Sequence, residues 1–286
     1  MKVEILSPSG CCHGVNSAIN KVKSIRNEYK DVPIYVLGML VHNEEVIKEL
    51  DQLNIVTITN KSPNEAINEI DKGIVIFTAH GHDARLDVLA QNKGLITIDT
   101  TCPFVKANHM MIKKALANNE SVIFIGKRNH PETESTLLIS PKINLYDINS
   151  GLNYEKIKGE SPTIFCQTTL SILELENIKK DIFNHFPNAH FAKSVCNATY
   201  ERQSALKTIN PNCDLIFVVG SNLSSNTSKL YEIAKSLYPS KHIKQIKTVN
   251  DIIDCDLTKF KYATIVGGAS TPIIVLENIK NYLLNL

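Results

Sequence analysis

VIFIGKRNHPETES, residues 122–135, is the stretch on which the fold turns. Val122 to Ile125 are β-favouring and apolar, and they stop at Gly126, as a short buried strand does. Lys127 to Asn129 form a polar turn, and Pro131 is the residue type that opens a helix without losing a needed N–H. A strand, a turn and a helix start thus follow one another directly. The same figure recurs as IYVLGMLVHNEEVI at 34–47 and IFVVGSNLSSNTSKL at 216–230. Three copies predict three similar units.

Working outward, further buried strands are expected at 3–6, 33–37, 73–77, 95–98, 121–125, 163–165, 215–219 and 263–266. Apolar residues at helical spacing lie between them, for example Ile112, Ala115 and Leu116. Strands alternating with helices give an α/β fold with mostly parallel sheets. Cys12, Cys102 and Cys196 rule the chain into units of about 90 residues. The expected division is 13–101, 102–195 and 196–286. Each unit offers three strand ends with polar residues, including IVIFTAHGH, TIFCQTTLS and TIVGGASTP. Ligands of α/β sheets bind outside the carboxyl ends of strands, so nine such ends imply a central site on a pseudo-three-fold axis.

Of the 286 residues 43% are hydrophobic, enough to bury a substantial core, and the net charge of +2 includes no long basic run. Pairs such as Lys113-Lys114 read as solvated helix faces, which argues against nucleic acid. The opening MKVEILSPSG has no signal-peptide pattern, and no apolar run is long enough to span a bilayer. A cytoplasmic chain without membrane attachment is the expectation. Seven cysteines in such a chain argue for metal or redox ligands, or for small buried hydrophobes, over a disulfide framework.

Cys166, Cys213 and Cys255 suit burial. Cys12, Cys102 and Cys196 each end a strand beside a turn-forming neighbour (Gly14, Pro103, Asn197). Structural zinc favours paired C-x₂₋₄-C spacing, which is missing, whereas three isolated thiolates suit a cuboidal Fe–S cluster with one open iron. Spacing alone leaves both in play. Cys11 and Cys12 would face opposite sides of an extended strand, so only Cys12 is taken as a ligand.

His42, His80 and His130 stand at strand ends in polar company. With Ser224, Ser225, Asn226 and Ser270 they would form a donor-rich pocket for a diphosphate, without any Walker loop. Ser224-Ser225-Asn226 also reads simply as a helix cap. Glu132 is the candidate proton donor and Thr168 or Thr169 its support. A helix-dipole role for Glu132 is equally ordinary, and Glu134 remains a rival.

Taken in order, GCCHGV at 10–15, VHN at 41–43, AHG at 79–81, TCPFV at 101–105 and HPE at 130–132 share a pattern with QTTL at 167–170, Arg202-Gln203, VVGS at 218–221, SSN at 224–226 and GAS at 268–270. By these segments the chain resembles the 4-hydroxy-3-methylbut-2-enyl diphosphate reductase family, essentially from end to end. The resemblance implies that the N-terminal strand 1–12 packs with the third unit, and it implies a 4Fe–4S cluster on Cys12, Cys102 and Cys196. It implies diphosphate binding by His42, His80, His130, Ser224, Ser225, Asn226 and Ser270, with Glu132 as proton donor and Thr168 and His130 beside it. It further implies two-electron reductive dehydroxylation of an allylic diphosphate to isopentenyl and dimethylallyl diphosphate, with a ferredoxin or flavodoxin as electron donor. Cys11, His13 and Ile273 depart from the family pattern, and none is a matched ligand. A cluster-dependent hydro-lyase, which needs no external electrons, and a zinc-stabilised binding module are the competing classes.

Overall fold

The computed structural model describes residues 1–192 and 194–286. Strand β1 (Lys2–Ile5) leads to helix α1 (His13–Glu28). Then come β2 (Ile34–Leu37), α2 (Glu44–Gln52), β3 (Ile55–Ile58), α3 (Pro63–Glu69), β4 (Ile74–Phe77), α4 (Arg85–Asn92) and β5 (Ile96–Asp99). The next run is α5 (Pro103–Ala117), β6 (Val122–Gly126), α6 (Pro131–Leu137), β7 (Ile143–Asp147), β8 (Thr163–Cys166), α7 (Ile172–His185) and β9 (His190–Phe191). It is followed by α8 (Asn197–Ala205), β10 (Leu215–Val219), α9 (Ser225–Leu237), β11 (His242–Ile246), β12 (Tyr262–Gly267) and α10 (Ile273–Leu284).

These strands form three four-stranded sheets, ordered β1-β12-β10-β11, β5-β4-β2-β3 and β9-β8-β6-β7, with every ladder parallel. The expected three parallel α/β units are therefore present. Register makes the repeat exact to the residue: Leu37, Ile125 and Val219 stand opposite Phe77, Cys166 and Gly267. The sheets carry four strands where three per unit were anticipated. The additional ones are β3, β7 and β11, each the outermost strand on the far side of its sheet from the cysteines. An outermost strand has one unpaired edge and a half-wet face, so it tolerates polar residues such as those of HIKQI and INLYD. The inner strands have no such freedom, and all residues of β4, β6 and β10 are buried.

By backbone contacts the chain forms two compact units. One comprises Met1–Asn16, His42–Lys48 and Asn197–Leu286, and so contains the sheet of β1, β12, β10 and β11. Val275, Leu276, Ile279 and Leu283 of α10 cover one face of that sheet, and Leu230, Ile233 and Ala234 of α9 the other. The second unit, Ser17–Val41 and Glu49–Cys196, contains the other two sheets. In its sheet around β6, Ile112 and Ala115 of α5 pack on one face and Leu175, Ile178 and Ile182 of α7 on the other. Each fully buried Leu, Ile or Phe contributes about 1.5–3 kcal/mol, which fixes which face every helix presents.

The chain runs from β2 outward to β3, then returns to β4 on the opposite side of β2, and the other sheets do the same at β6 and β10. Each sheet therefore has a switch point between β2 and β4, β6 and β8, or β10 and β12. Loops diverge there and leave a crevice at the carboxyl ends of the strands.

Candidate functional site

Every singled-out histidine, serine, asparagine and carboxylate lies on a loop or helix start at one of these switch points. Past β6 and β10 the backbone repeats closely. Gly126 and Gly220 end or follow their strands, and a Cβ on either would collide with the hydroxyl of Thr133 or Thr227. That close approach seats the first turn of α6 and of α9 on the strand end. His130 and Ser224 are the matching N-caps: Nδ1 of His130 accepts from the Glu132 N–H at 3.2 Å, and Oγ of Ser224 accepts from the Thr227 N–H at 3.3 Å. Because His130 Nδ1 accepts, a neutral ring there carries its proton on Nε2.

In the second unit, Glu132 is 3% exposed. Thr168 meets both of its carboxylate oxygens, donating its N–H to Oε1 and its hydroxyl to Oε2, each at 2.8 Å. Burial pushes the Glu132 carboxyl up to about 7 even though both Thr168 bonds pull it down. Glu134 is placed differently, near the surface, where it accepts the N–H of Asn129 at 2.8 Å. Its carboxylate is thereby committed to closing the turn. The His80 and His130 rings meet edge to face with centroids 5.9 Å apart. The Ser135 hydroxyl ties the carbonyls of His80 and Glu132 together at 2.9 and 3.0 Å.

The first unit holds the neutral donors. Ser224, Asn226 and Ser270 are buried. Oδ1 of Asn226 accepts the Ala269 N–H at 2.9 Å, which turns its Nδ2 away from that bond, and Nδ2 is buried without a hydrogen-bond partner. An orphaned amide N–H₂ beside two helix-start serines is what an anion would satisfy. Ser270 donates to the His42 carbonyl at 3.1 Å, and burial holds the His42 imidazole below its ordinary value, in the neutral form. Ser225 is the first residue of α9.

The three cysteines occupy matching places. Each immediately precedes a helix: Cys12 before α1, Cys102 before α5 and Cys196 before α8. The N–H of each donates to the loop after the adjacent strand of its own sheet frame: Cys12 to Ala269 at 2.9 Å, Cys102 to Ala79 at 3.0 Å and Cys196 to Thr168 at 3.2 Å. No disulfide joins any of the seven cysteines, and burial pushes the Cys166 thiol up to about 12, an inert packing group. Among the described residues no three His, Cys, Asp or Glu side chains are gathered as a metal site. The donor set itself suits a thiolate-bound cluster, because helix N-termini present N–H groups to anionic sulfur. Cys12 lies in one compact unit, Cys102 and Cys196 in the other.

Sequence reasoning missed Gln167. Fully buried, it accepts from the Lys127 N–H and the Thr133 hydroxyl and donates to Thr169 at 2.9 Å, bracing the turns after β6 and β8. Its place beside Thr168 in QTTL was the available signal. No helix is long and apolar enough to cross a membrane among the described residues.

A family model described as LytB protein matches residues 3–284. The chain is 35% identical over 288 residues to a 4-hydroxy-3-methylbut-2-enyl diphosphate reductase of Bacillus cereus, covering 99% of this chain and 90% of that one. It is 31% identical to the enzyme of that name from Symbiobacterium thermophilum, covering 99% and 97%. Among solved structures it matches the E-1-hydroxy-2-methyl-but-2-enyl-4-diphosphate reductase of Plasmodium falciparum with TM-score 0.84 and 29% identity, over 100% of this chain and 87% of that one. A structure of (E)-4-hydroxy-3-methyl-but-2-enyl diphosphate reductase, the terminal enzyme of the non-mevalonate pathway, matches over the full length of both chains with TM-score 0.69 and 27% identity.

Proposed function

Because the chain belongs to the LytB protein family, we propose that it reduces 4-hydroxy-3-methylbut-2-enyl diphosphate to isopentenyl and dimethylallyl diphosphate. The allylic C–O bond breaks, two electrons and two protons enter, and water leaves. Glu132 carries the reading: a carboxyl buried at 3% exposure, held by Thr168 and pushed up to about 7, keeps a proton at neutral pH for a departing hydroxyl.

Cys12, Cys102 and Cys196 would hold a 4Fe–4S cluster between them, leaving one iron without a protein ligand. When bound, such a cluster supplies electrons one at a time and a Lewis-acidic position for an oxygen ligand. The chain's own residues do the rest. Ser224, Ser225, Asn226 and Ser270, with His42, His80 and His130, bind the diphosphate through N–H and O–H donors. Thr168 holds the Glu132 carboxyl with its acidic proton toward the substrate oxygen. Burial of these groups excludes bulk water, so the donated proton goes to the hydroxyl. A ferredoxin or flavodoxin supplies the electrons, and the enzyme works in the cytoplasm.

The test is iron and acid-labile sulfide per chain after oxygen-free purification, then turnover with a strong one-electron donor. About four of each per chain and reductant-dependent loss of the allylic hydroxyl are expected. Zinc without sulfide, with no reduction after reconstitution, would overturn the proposal.

A further inference from the structure

The helix following each candidate cluster cysteine reaches the backbone just ahead of another of them. Lys21 of α1, the helix after Cys12, donates from Nζ to the Asp99 carbonyl at 3.0 Å, three residues before Cys102. Asn108 of α5, the helix after Cys102, donates from Nδ2 to the Cys166 carbonyl at 3.2 Å and to the Ser194 carbonyl at 3.5 Å, two residues before Cys196. Arg202 of α8, the helix after Cys196, donates from Nη2 to the Gly10 carbonyl at 2.8 Å, two residues before Cys12. The donors are three residue types, Asn108 and Arg202 each six residues past their cysteine and Lys21 nine past its own.

Arg202 forms the strongest of them. It is 5% exposed, its Nη1 also donates to the Ala198 carbonyl at 3.0 Å, and its Nε is buried without a hydrogen-bond partner. A guanidinium is an expensive group to bury. Packing alone would be served by a Met or Leu, so its retention has to come from what the charge and the planar donors hold. They hold Gly10, a left-handed residue at φ +87° that sets the direction in which Cys11 and Cys12 leave β1. Elsewhere the loop returns to its sheet through the Leu6 N–H to Ile265, the Gly267 N–H to the Ser9 hydroxyl and the Cys12 N–H to Ala269.

We propose that Arg202 is a positioning residue for Cys12, and that Lys21 and Asn108 serve Cys102 and Cys196 in the same way. This rests on the reading of the three cysteines as cluster ligands. Each tie makes the loop of one cysteine depend on the helix of another, so each loop is held in place before any metal arrives.

The first test uses the metal-free chain and hydrogen exchange. Arg202→Met is expected to speed exchange of the amides of residues 10–14 by roughly tenfold to a hundredfold, the effect of losing a charged hydrogen bond. Exchange in the centres of β10 and β12 should stay as it was. In the loaded protein, iron release to a chelator should quicken and the electron paramagnetic resonance signature of the reduced cluster should change. Arg202→Lys, which keeps the charge and one donor, should fall between. Lys21 is exposed, so Lys21→Met folds, and it should speed exchange at residues 100–102 while sparing 10–14. Should Arg202→Met not fold, Arg202→Lys and Lys21→Met decide by the same readouts.

Unchanged exchange at 10–14, or an increase spread evenly over the sheet, would overturn the tie. Faster local exchange with unaltered iron release and spectrum would overturn its role at the cysteine. The exchange readout needs no cluster, so a chain that binds no iron would sink the cluster reading separately.

Discussion

Glu44 and Glu132 occupy the same place in two copies of one repeat, six residues beyond Gly38 and Gly126. They have opposite electrostatic fates. Burial raises the Glu44 carboxyl, but bonds from Lys247, 2.6 Å away, and from Ser221 more than offset this and hold it below the ordinary range. Among the described residues Glu132 has no cation bonded to it, its carboxyl is held by Thr168, and it goes up to about 7. In the third copy the place belongs to Asn226, whose amide cannot titrate. The repeat fixes where a side chain stands, and the neighbour it meets decides whether it is an anion, an acid or a neutral donor. One frame thus sets a carboxyl of raised pKa at one switch point and uncharged amide and hydroxyl groups at another.

The largest break in this contrast is Glu132→Gln. Loss of general acid catalysis should lower turnover by about 10²–10⁴, with iron per chain unchanged in the same preparation. A variant turning over at the wild-type rate would put the proton elsewhere. The same substitution sharpens the contrast through stability. The folded chain keeps the Glu132 proton up to about pH 7, while an unfolded carboxyl loses it near 4.5. That contribution is complete below the unfolded value and is lost as pH rises through the folded one. In urea titrations of the metal-free chain, Glu132→Gln should therefore gain on the wild type between those values, by up to about 3 kcal/mol near pH 8. A constant difference across that window would mean that the site is not desolvated.

Thr168→Val comes next. It removes a donor that favours the carboxylate, so the alkaline limb of the rate profile should move to higher pH while turnover falls about tenfold. A limb moving to lower pH would contradict the bond seen at Oε2. Smallest is Glu44→Gln. The Lys247 pair is partly exposed on both sides, 43% and 34%, so its loss should change stability by less than about 1 kcal/mol. Denaturation midpoints check it, and a larger loss would make this carboxylate as consequential as its twin.

The buried strands were legible because Val122–Ile125 and Leu215–Val219 are apolar on both faces and end at glycine. Their partners β7 and β11 were not, since a half-wet edge erases the apolar run that marks a strand. The candidate residues could be picked out as polar groups at strand ends, but Glu132 and Glu134 looked alike. Only burial and the Thr168 contact separate them, and both arise from chain 36 residues away. The cysteine amides bond to the carbonyls of Ala79, Thr168 and Ala269, an acceptor every residue has, so no side chain announces them. Arg202 was visible as part of a pattern, yet its partner Gly10 lies 192 residues off.

Strand β1 pairs with β12, and the Glu4 carboxylate accepts from the Thr264 hydroxyl across 260 residues of chain. During synthesis residues 2–5 emerge first and have no ladder to join until 262–267 have followed. The Cys12 amide waits as long for Ala269, and Gly10 waits for Arg202. A partly made chain on the ribosome therefore offers Cys102 in a nearly finished sheet while Cys12 hangs on an unpaired strand. The sheet whose first strand is made earliest is thus the last of the three to close.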